Sequence, residues 1–360
     1  MFQTMTMSSN ASQISGQDLS NVVFQARGLS KSYGTGSSLV YALREIDLDI
    51  CESEFVVLLG PSGSGKSTLG FAIIRLVPSP GVVTEGRIAV DGTDIMQLSQ
   101  EQIRKLRGRI GFIFQDPMTS LNPVYTIGSQ ITEALLAHRE MTKEEARAEA
   151  VRLLSLSGIP RPDEALDNFP HEFSGGMRQR AVIAIAMANN PKIMLADEPT
   201  TALDVTVQAQ VLQTLQKALD ETHAALILVT HDLGVIAGLA QRVIVMYAGR
   251  IVEFAHVDDL FYRPSMPYTH GLLGSIPSPT EDSDGPLRQI PGNPLTMVGE
   301  LVGCPFATRC PLAQDICRTE EPTLQRVSTN TEREQFSACH FREDVSKAPV
   351  ASMFLESEVN

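Results

Sequence analysis

The sequence predicts an α/β protein built on a parallel sheet, and three observations carry the prediction. Short, fully apolar, β-branched runs read as buried strands: FVVLLG at 55–60, IMLADEPT at 193–200 and ALILVTHD at 225–232, the last two ending in polar residues. Helix-patterned stretches lie between them, with TLGFAIIRLV after the first and VTVQAQVLQTLQKAL between the other two. Strands alternating with helices imply parallel pairing, with ligands at the carboxyl ends of the strands.

The remaining elements follow in chain order. MFQTMTMSSNASQISGQDLS has neither the cations nor the apolar stretch of a secretory signal, so residues 1–22 read as a disordered polar tail. Residues 23 to about 50 alternate in the manner of strands, and GRIAVDG and RIGFIFQ, between 86 and 115, add more strand. From 127 to 158 the pattern turns helical and charged, as an all-helical insertion would. RVIVMYAGRIVEFA at 242–255 reads as a hairpin through Ala-Gly. After about residue 262 proline becomes frequent, which places a second module at 263–345 and a disordered tail at 346–360.

Bulk properties set limits on function. A chain of 360 residues implies two domains, and 43% apolar with 20% charged residues is a globular composition. A net charge of -13 argues against a general nucleic-acid binder, because neutralising phosphates takes clustered cations. No apolar run reaches the length of a membrane span. The chain is expected in the cytoplasm, with any membrane link made through a partner.

The chemistry-bearing residues sit at the strand ends. Gly60, Pro61, Ser62, Gly63, Ser64, Gly65, Lys66 and Ser67, followed by Thr68, fit G-x-x-x-x-G-K-[ST] between a strand and a helix. Glycines let backbone N–H groups curl around a phosphate chain, Lys66 reaches the outer phosphates, and the Ser67 hydroxyl ligates Mg²⁺. Asp197 and Glu198 end a strand; one carboxylate can hold the Mg²⁺ shell and its neighbour can deprotonate a water, or the two can be a helix-capping acidic pair. His231 follows ALILVT and should face the same crevice, where it can meet a terminal phosphate. Gln115, also at a strand end, can bind Mg²⁺ and water through its amide. In HEFSGGMRQR, Ser174, Gly175 and Gly176 precede a helix, a place for an anion.

Taken in order, these pieces (an aromatic, GPSGSGKS, FQD, FSGGMRQR, LADEP, TALD, THD) resemble the nucleotide-binding subunits of ABC transporters over roughly residues 23–262. The resemblance implies an ABC-type P-loop NTPase: a RecA-like core, an antiparallel β-subdomain and a helical subdomain at about 116–190. It implies that two subunits face each other head to tail, so that Ser174, Gly175 and Gly176 cap the γ-phosphate of ATP held by the partner. Phe173 and Met177 stand where that family commonly has leucine and glutamine. By the same resemblance Tyr33 stacks on adenine and Asp204 lies at the dimer seam, although Asp204 can equally be a helix cap. Glu198 becomes the general base, with His231 and Gln115 at the γ-phosphate.

DPMTSLNP, RPSMPYTHGLL, IPGNP and GCPFATRCP are similar to segments in ATPase subunits of oligopeptide and dipeptide importers, relatives of which handle nickel, glutathione or sugars. That resemblance implies two transmembrane permease subunits, an extracytoplasmic solute-binding protein, a second ATPase subunit (the same or different), and a peripheral place on the cytoplasmic face of the membrane. A soluble non-transport ABC ATPase fits less well, since there is one cassette and no long heptad run. Cys304, Cys310, Cys317 and Cys339 are spaced C-x5-C-x6-C-x21-C, without the short knuckle usual for structural zinc. Importer ATPases similar to this one can carry a [4Fe–4S] cluster there; zinc, or reduced structural thiols, are the alternatives.

Overall fold

The computed structural model describes residues 21–34, 39–76, 82–201, 203–234, 238–275, 289–293, 295, 302–328, 333–350 and 352–354. Two sheets organise them. In the larger, β6 (Ile110–Ile113), β7 (Ile193–Asp197), β8 (Ala225–Thr230), β3 (Phe55–Leu59) and β9 (Arg242–Tyr247) lie side by side in parallel. Every residue of β3, β7 and β8 is buried, which is why these strands read as unbroken apolar runs: a parallel sheet is covered on both faces. The second sheet is antiparallel, in the order β2 (Val40–Cys51), β1 (Val22–Tyr33), β4 (Val82–Val90), β5 (Thr93–Asp94).

Strand alternation divides the interior into two cores. Phe55, Val57 and Leu59 of β3 point into one, with the helices inserted after β6 and the C-terminal segments. Val56 and Leu58 point into the other, with Phe24, Leu43, Ile50 and Ile88 of the antiparallel sheet. The phosphate-loop candidate leaves β3 at the junction of the two.

The helices Ile127–Leu136, Lys143–Leu156 and Gly175–Met187 lie between β6 and β7. Thr142 and Glu145 cap the second reciprocally, the Thr142 N–H donating to Glu145 at 2.7 Å and the Glu145 N–H to the Thr142 hydroxyl at 3.2 Å. Ile131, Leu135, Leu153 and Leu154 are buried.

The 242–255 hairpin is present as β9 and β10 (Arg250–His256), turning through Ala248 and Gly249, both at positive φ (51° and 74°). Beyond Tyr262 the chain returns to the main sheet rather than standing apart. β12 (Phe336–Ser337) pairs with β10, and β11 (Gln325–Arg326) pairs with β12. This edge encloses Glu253, whose carboxylate is fully buried with no ion pair among the described residues. It accepts from the Ser265 N–H (2.6 Å), the Ser265 hydroxyl (2.7 Å) and the Gln335 amide (3.2 Å). Burial holds its pKa above the usual carboxylate range, with those hydrogen bonds opposing.

Part of one expectation needs correcting. The tail at 346–360 is not featureless: Ser352–Phe354 form a single 3-10 turn, and Met353 and Phe354 pack on the C-terminal core, Phe354 beside Gly271. Two adjacent apolar side chains are enough to tie a terminus down when a groove receives them. Residues 1–20 and 355–360 lie outside the described residues.

Candidate nucleotide site

The loop after β3 takes its shape from neighbours that leave no room for side chains. A Cβ at Gly60 would lie 2.3 Å from the Met246 carbonyl oxygen, and one at Gly65, where φ is 102°, would lie 2.5 Å from that of Ala42. Only glycine fits both positions. Gly65 then starts the helix Lys66–Ile73, aiming free N–H groups into the loop. Pro61, Ser62, Gly63 and Ser64 form the turn, while Lys66, Ser67 and Thr68 open the helix.

Lys66 is buried, and its ammonium is turned onto the loop's own carbonyls, Gly60 at 2.6 Å and Pro61 at 3.0 Å. Burial lowers its pKa, and the carboxylates of Glu198 and Asp197 oppose that shift. The Ser67 hydroxyl donates to Asp197 Oδ1 at 3.0 Å, joining the loop to the end of β7. Burial raises the Asp197 pKa and the charge of Glu198 adds to it, against the Ser67 hydrogen bond and the Lys66 charge. A half-buried hydroxyl paired with a buried carboxylate, with the nearest ammonium occupied by backbone oxygens, is a donor set that suits a hard divalent cation.

Glu198 adopts φ 46°, held by its N–H donating to the Val229 carbonyl at 2.9 Å. The strained backbone turns its side chain toward three groups from other elements. Gln115 Nε2 lies 3.1 Å from Oε2, the Thr201 hydroxyl 3.0 Å from the same oxygen, and His231 Nδ1 3.3 Å from Oε1. The ends of β3, β6, β7 and β8 therefore bring Lys66, Gln115, Asp197, Glu198 and His231 to one crevice. This is where ligands bind in a parallel sheet.

Ser174, Gly175 and Asp204 lie elsewhere, on an exposed face. Ser174 caps the helix Gly175–Met187 by accepting from the Met177 N–H at 3.3 Å, and Asp204 caps the helix Val205–Thr222 by accepting from the Val207 N–H at 3.0 Å. A Cβ on Gly176 would lie 2.4 Å from Val207, so the two helix starts are packed tightly together. The capping reading of Asp204 thus describes this chain on its own. Tyr33 ends β1, with the Lys31 ammonium 3.9 Å from its ring centroid.

The four clustered cysteines line a single apolar cavity of about 20 Å³, together with Met266, Phe306, Phe341 and others. Cys304 donates its backbone N–H to the Cys317 carbonyl at 2.7 Å. Burial raises the Cys304 thiol to about 11 and the Cys339 thiol to about 12, and the neighbouring cysteines push both in the same direction. Among the described residues, no group of three or more His, Cys, Asp or Glu stands ready to hold a single metal ion.

The sequence reading missed two sets of residues. Thr201 touches Glu198, and its only sequence signal is a hydroxyl three positions after a strand-end carboxylate. Arg44, Arg250 and Glu321 form an ion-pair cluster across three distant segments, with no signal in the sequence.

Comparison with known proteins identifies the family. A family model for ABC transporters matches residues 43–201, and one for the oligopeptide/dipeptide transporter C-terminal region matches 252–317. The chain is 46% identical over 308 residues to the oligopeptide transport ATP-binding protein OppD of Bacillus subtilis, covering 85% of this chain and 86% of that one. It is 46% identical over 297 residues to the dipeptide transport ATP-binding protein DppD of the same organism (82% and 88%). It is 42% identical over 320 residues to OppD of Salmonella typhimurium (88% and 94%). Among solved structures it is similar to a dimeric ATP-binding cassette in a post-hydrolysis state bound to ADP and Pi. That match has a TM-score of 0.58 and 33% identity, covering 65% of this chain and 98% of that one. No helix among the described residues is long and apolar enough to cross a membrane.

Proposed function

The chain belongs to the ATP-binding subunits of oligopeptide and dipeptide ABC transporters, and on that premise we propose that it hydrolyses ATP to energise uptake of peptides. The observation that carries this reading is the convergence of Lys66, Ser67–Asp197 and Glu198, with Gln115 and His231, at the carboxyl edge of one parallel sheet.

ATP enters with its phosphates against the N–H groups of Gly60–Thr68, and Lys66 exchanges the Gly60 and Pro61 carbonyls for phosphate oxygens. Asp197, Ser67 and Gln115 would hold Mg²⁺, which would neutralise phosphate charge. Glu198 accepts a proton from the attacking water, held in orientation by Gln115 and Thr201, and His231 turns to the γ-phosphate. Tyr33 offers its ring to the adenine. Ser174, Gly175 and Gly176 face the nucleotide of a second ATPase subunit, the same or a sister chain, and Asp204 lies at that seam. The exposed positions of Ser174, Asp204 and Val205 (81% exposed) support a face that is completed in trans.

Met118, Val124 and Tyr125, which follow Gln115 closely in the chain, are large apolar residues left exposed. They support a docking groove for two membrane-embedded permease subunits, served by an extracytoplasmic solute-binding protein. The chain thereby sits peripherally on the cytoplasmic face. The four cysteines on one apolar cavity match the donor set of a [4Fe–4S] cluster, with Cys304, Cys310, Cys317 and Cys339 as its thiolates. Bound there, the cluster would cross-link the loops of the C-terminal segment.

The test is uptake of labelled di- and oligopeptides by cells whose chain carries Glu198→Gln. Peptide uptake falls to background while ATP still binds. Uptake of nickel, glutathione or sugar lost in place of peptide overturns the substrate class. A colourless anaerobic preparation with stoichiometric zinc overturns the cluster.

A further inference from the structure

Glu321 lies in the C-terminal segment, four positions after Cys317, and the next residue, Pro322, lines the cysteine cavity. Its carboxylate reaches two other parts of the molecule. Arg44 of β2 grips it with both terminal nitrogens, at 3.2 Å and 3.0 Å. Arg250, the first residue of β10, lies 3.0 Å away through Nε and also pairs with Glu45 at 3.0 Å. The Glu321 side chain is 18% exposed, and Arg44 and Arg250 are 16% and 22% exposed, so solvent screens the cluster only in part. A two-pronged arginine–carboxylate pair fixes direction as well as distance.

From Arg44 the contacts run on to the phosphate loop. The Arg44 N–H donates to the Gly249 carbonyl at 2.9 Å, and the Gly249 N–H donates to the Ser64 carbonyl at 3.0 Å. Ala42, two residues before Arg44, supplies the carbonyl against which Gly65 is packed. The cysteine cavity, Glu321, Arg44, the β9–β10 turn and the phosphate loop are thus in unbroken contact.

We propose that Glu321 is a positioning residue that couples the cysteine-lined C-terminal segment to the phosphate loop, so that the condition of that segment sets the affinity for ATP. This rests on the ATPase reading given above. The side-chain partners of Glu321, Arg44 and Arg250, lead to the phosphate loop and not to Asp197, Glu198, Gln115 or His231, so it is expected to act on nucleotide binding and to leave the hydrolytic step alone. Coupling of this kind is reciprocal, so nucleotide binding also alters the cysteine-lined segment.

The test is steady-state ATP hydrolysis by the full chain in its assembled transporter, for Glu321→Gln, Arg44→Gln and the double variant. Each single variant is expected to raise KM about five-fold or more, with kcat within about two-fold of the parent, and the double variant to be no worse than either single. Cys339→Ser is expected to raise KM in the parent and to add nothing in the Glu321→Gln background. Unchanged KM, a fall confined to kcat, or multiplicative effects in the double variant overturn the proposal. Should Glu321→Gln fail to fold, Arg44→Lys keeps the charge and loses the fork; it is expected to raise KM about three-fold, and no change overturns the proposal. Lys66→Ala separates this from the underlying reading. Hydrolysis that survives Lys66→Ala sinks the ATPase assignment, whereas Lys66-dependent hydrolysis with an unmoved KM sinks only the role of Glu321.

Discussion

The phosphate loop and the cysteine cavity are both meeting points of backbone segments, but they are assembled in different ways. The loop is nine consecutive residues whose shape follows from two glycines pressed on the Met246 and Ala42 carbonyls. The cysteines are spread from 304 to 339 and meet only because β12 joins the edge of the main sheet and Phe306 packs on Tyr247 and Tyr268, with ring centroids 5.5 Å and 5.4 Å away. A site made of neighbours in sequence is set by backbone geometry. One made of distant residues inherits its geometry from packing, and is lost when the packing is.

The largest effect that sharpens this contrast is at the loop's own chemistry. Glu198→Gln should lower kcat by about 10²- to 10⁴-fold while ATP affinity is kept, as read by hydrolysis and by equilibrium nucleotide binding. An equal loss in both would mean that Glu198 holds the loop in shape.

Next comes the packing side. Phe306→Ala should cost about 3–5 kcal/mol in denaturant unfolding. It should release the cysteine-lined segment and raise the KM for ATP no further than Glu321→Gln does. Abolished ATP binding would break the contrast, because the loop would then depend on distant packing too.

Ser174→Ala separates a cap from a contact in trans. Loss of the cap costs about 1 kcal/mol of stability. If stability falls by that amount and the assembled transporter also loses most of its hydrolysis, while the isolated chain binds ATP as before, Ser174 serves both purposes. Stability loss alone would reduce it to a cap.

The smallest effect contrasts two buried carboxylates. Burial raises the pKa of both, but Asp197 has Lys66 nearby, whereas among the described residues Glu253 has hydrogen-bond donors and no ion pair. Below the ordinary glutamate range Glu253 is protonated in both the folded and unfolded states, so its ionisation then costs folding nothing. As pH rises past that range the unfolded chain ionises first, and stability falls until the folded pKa is passed. Glu253→Gln should therefore flatten the fall in urea midpoint as pH rises above the ordinary glutamate range. An unchanged slope would show that the carboxylate is ionised in place.

What could be read from the sequence follows the same division. β3, β7 and β8 were visible as apolar runs because both faces of each are buried, whereas β6 and β9 read only as a strand-like piece and one arm of a hairpin; Gly60–Ser67 was visible because phosphate binding needs glycines and a lysine at fixed local spacing. The crevice containing Asp197, Glu198, Gln115 and His231 could be inferred because strand ends of a parallel sheet face one edge. Thr201 could not, since its role depends on the φ of Glu198 turning the carboxylate back over the chain. Neither could the Arg44–Glu321 pair, whose members are 277 positions apart. The turn at 352–354 was missed because two apolar residues in a polar tail give no periodicity, and only the groove beside Gly271 makes them matter.

The central claim is that nucleotide is sandwiched, each subunit supplying the loop for one ATP and the Ser174 face for the other. The most direct measurement is a structure of the assembled transporter carrying Glu198→Gln, with MgATP bound. The account predicts the Ser174 hydroxyl within hydrogen-bonding distance of the γ-phosphate held by the opposite subunit. A nucleotide bound on Gly60–Thr68 with Ser174 far from every terminal phosphate would contradict it.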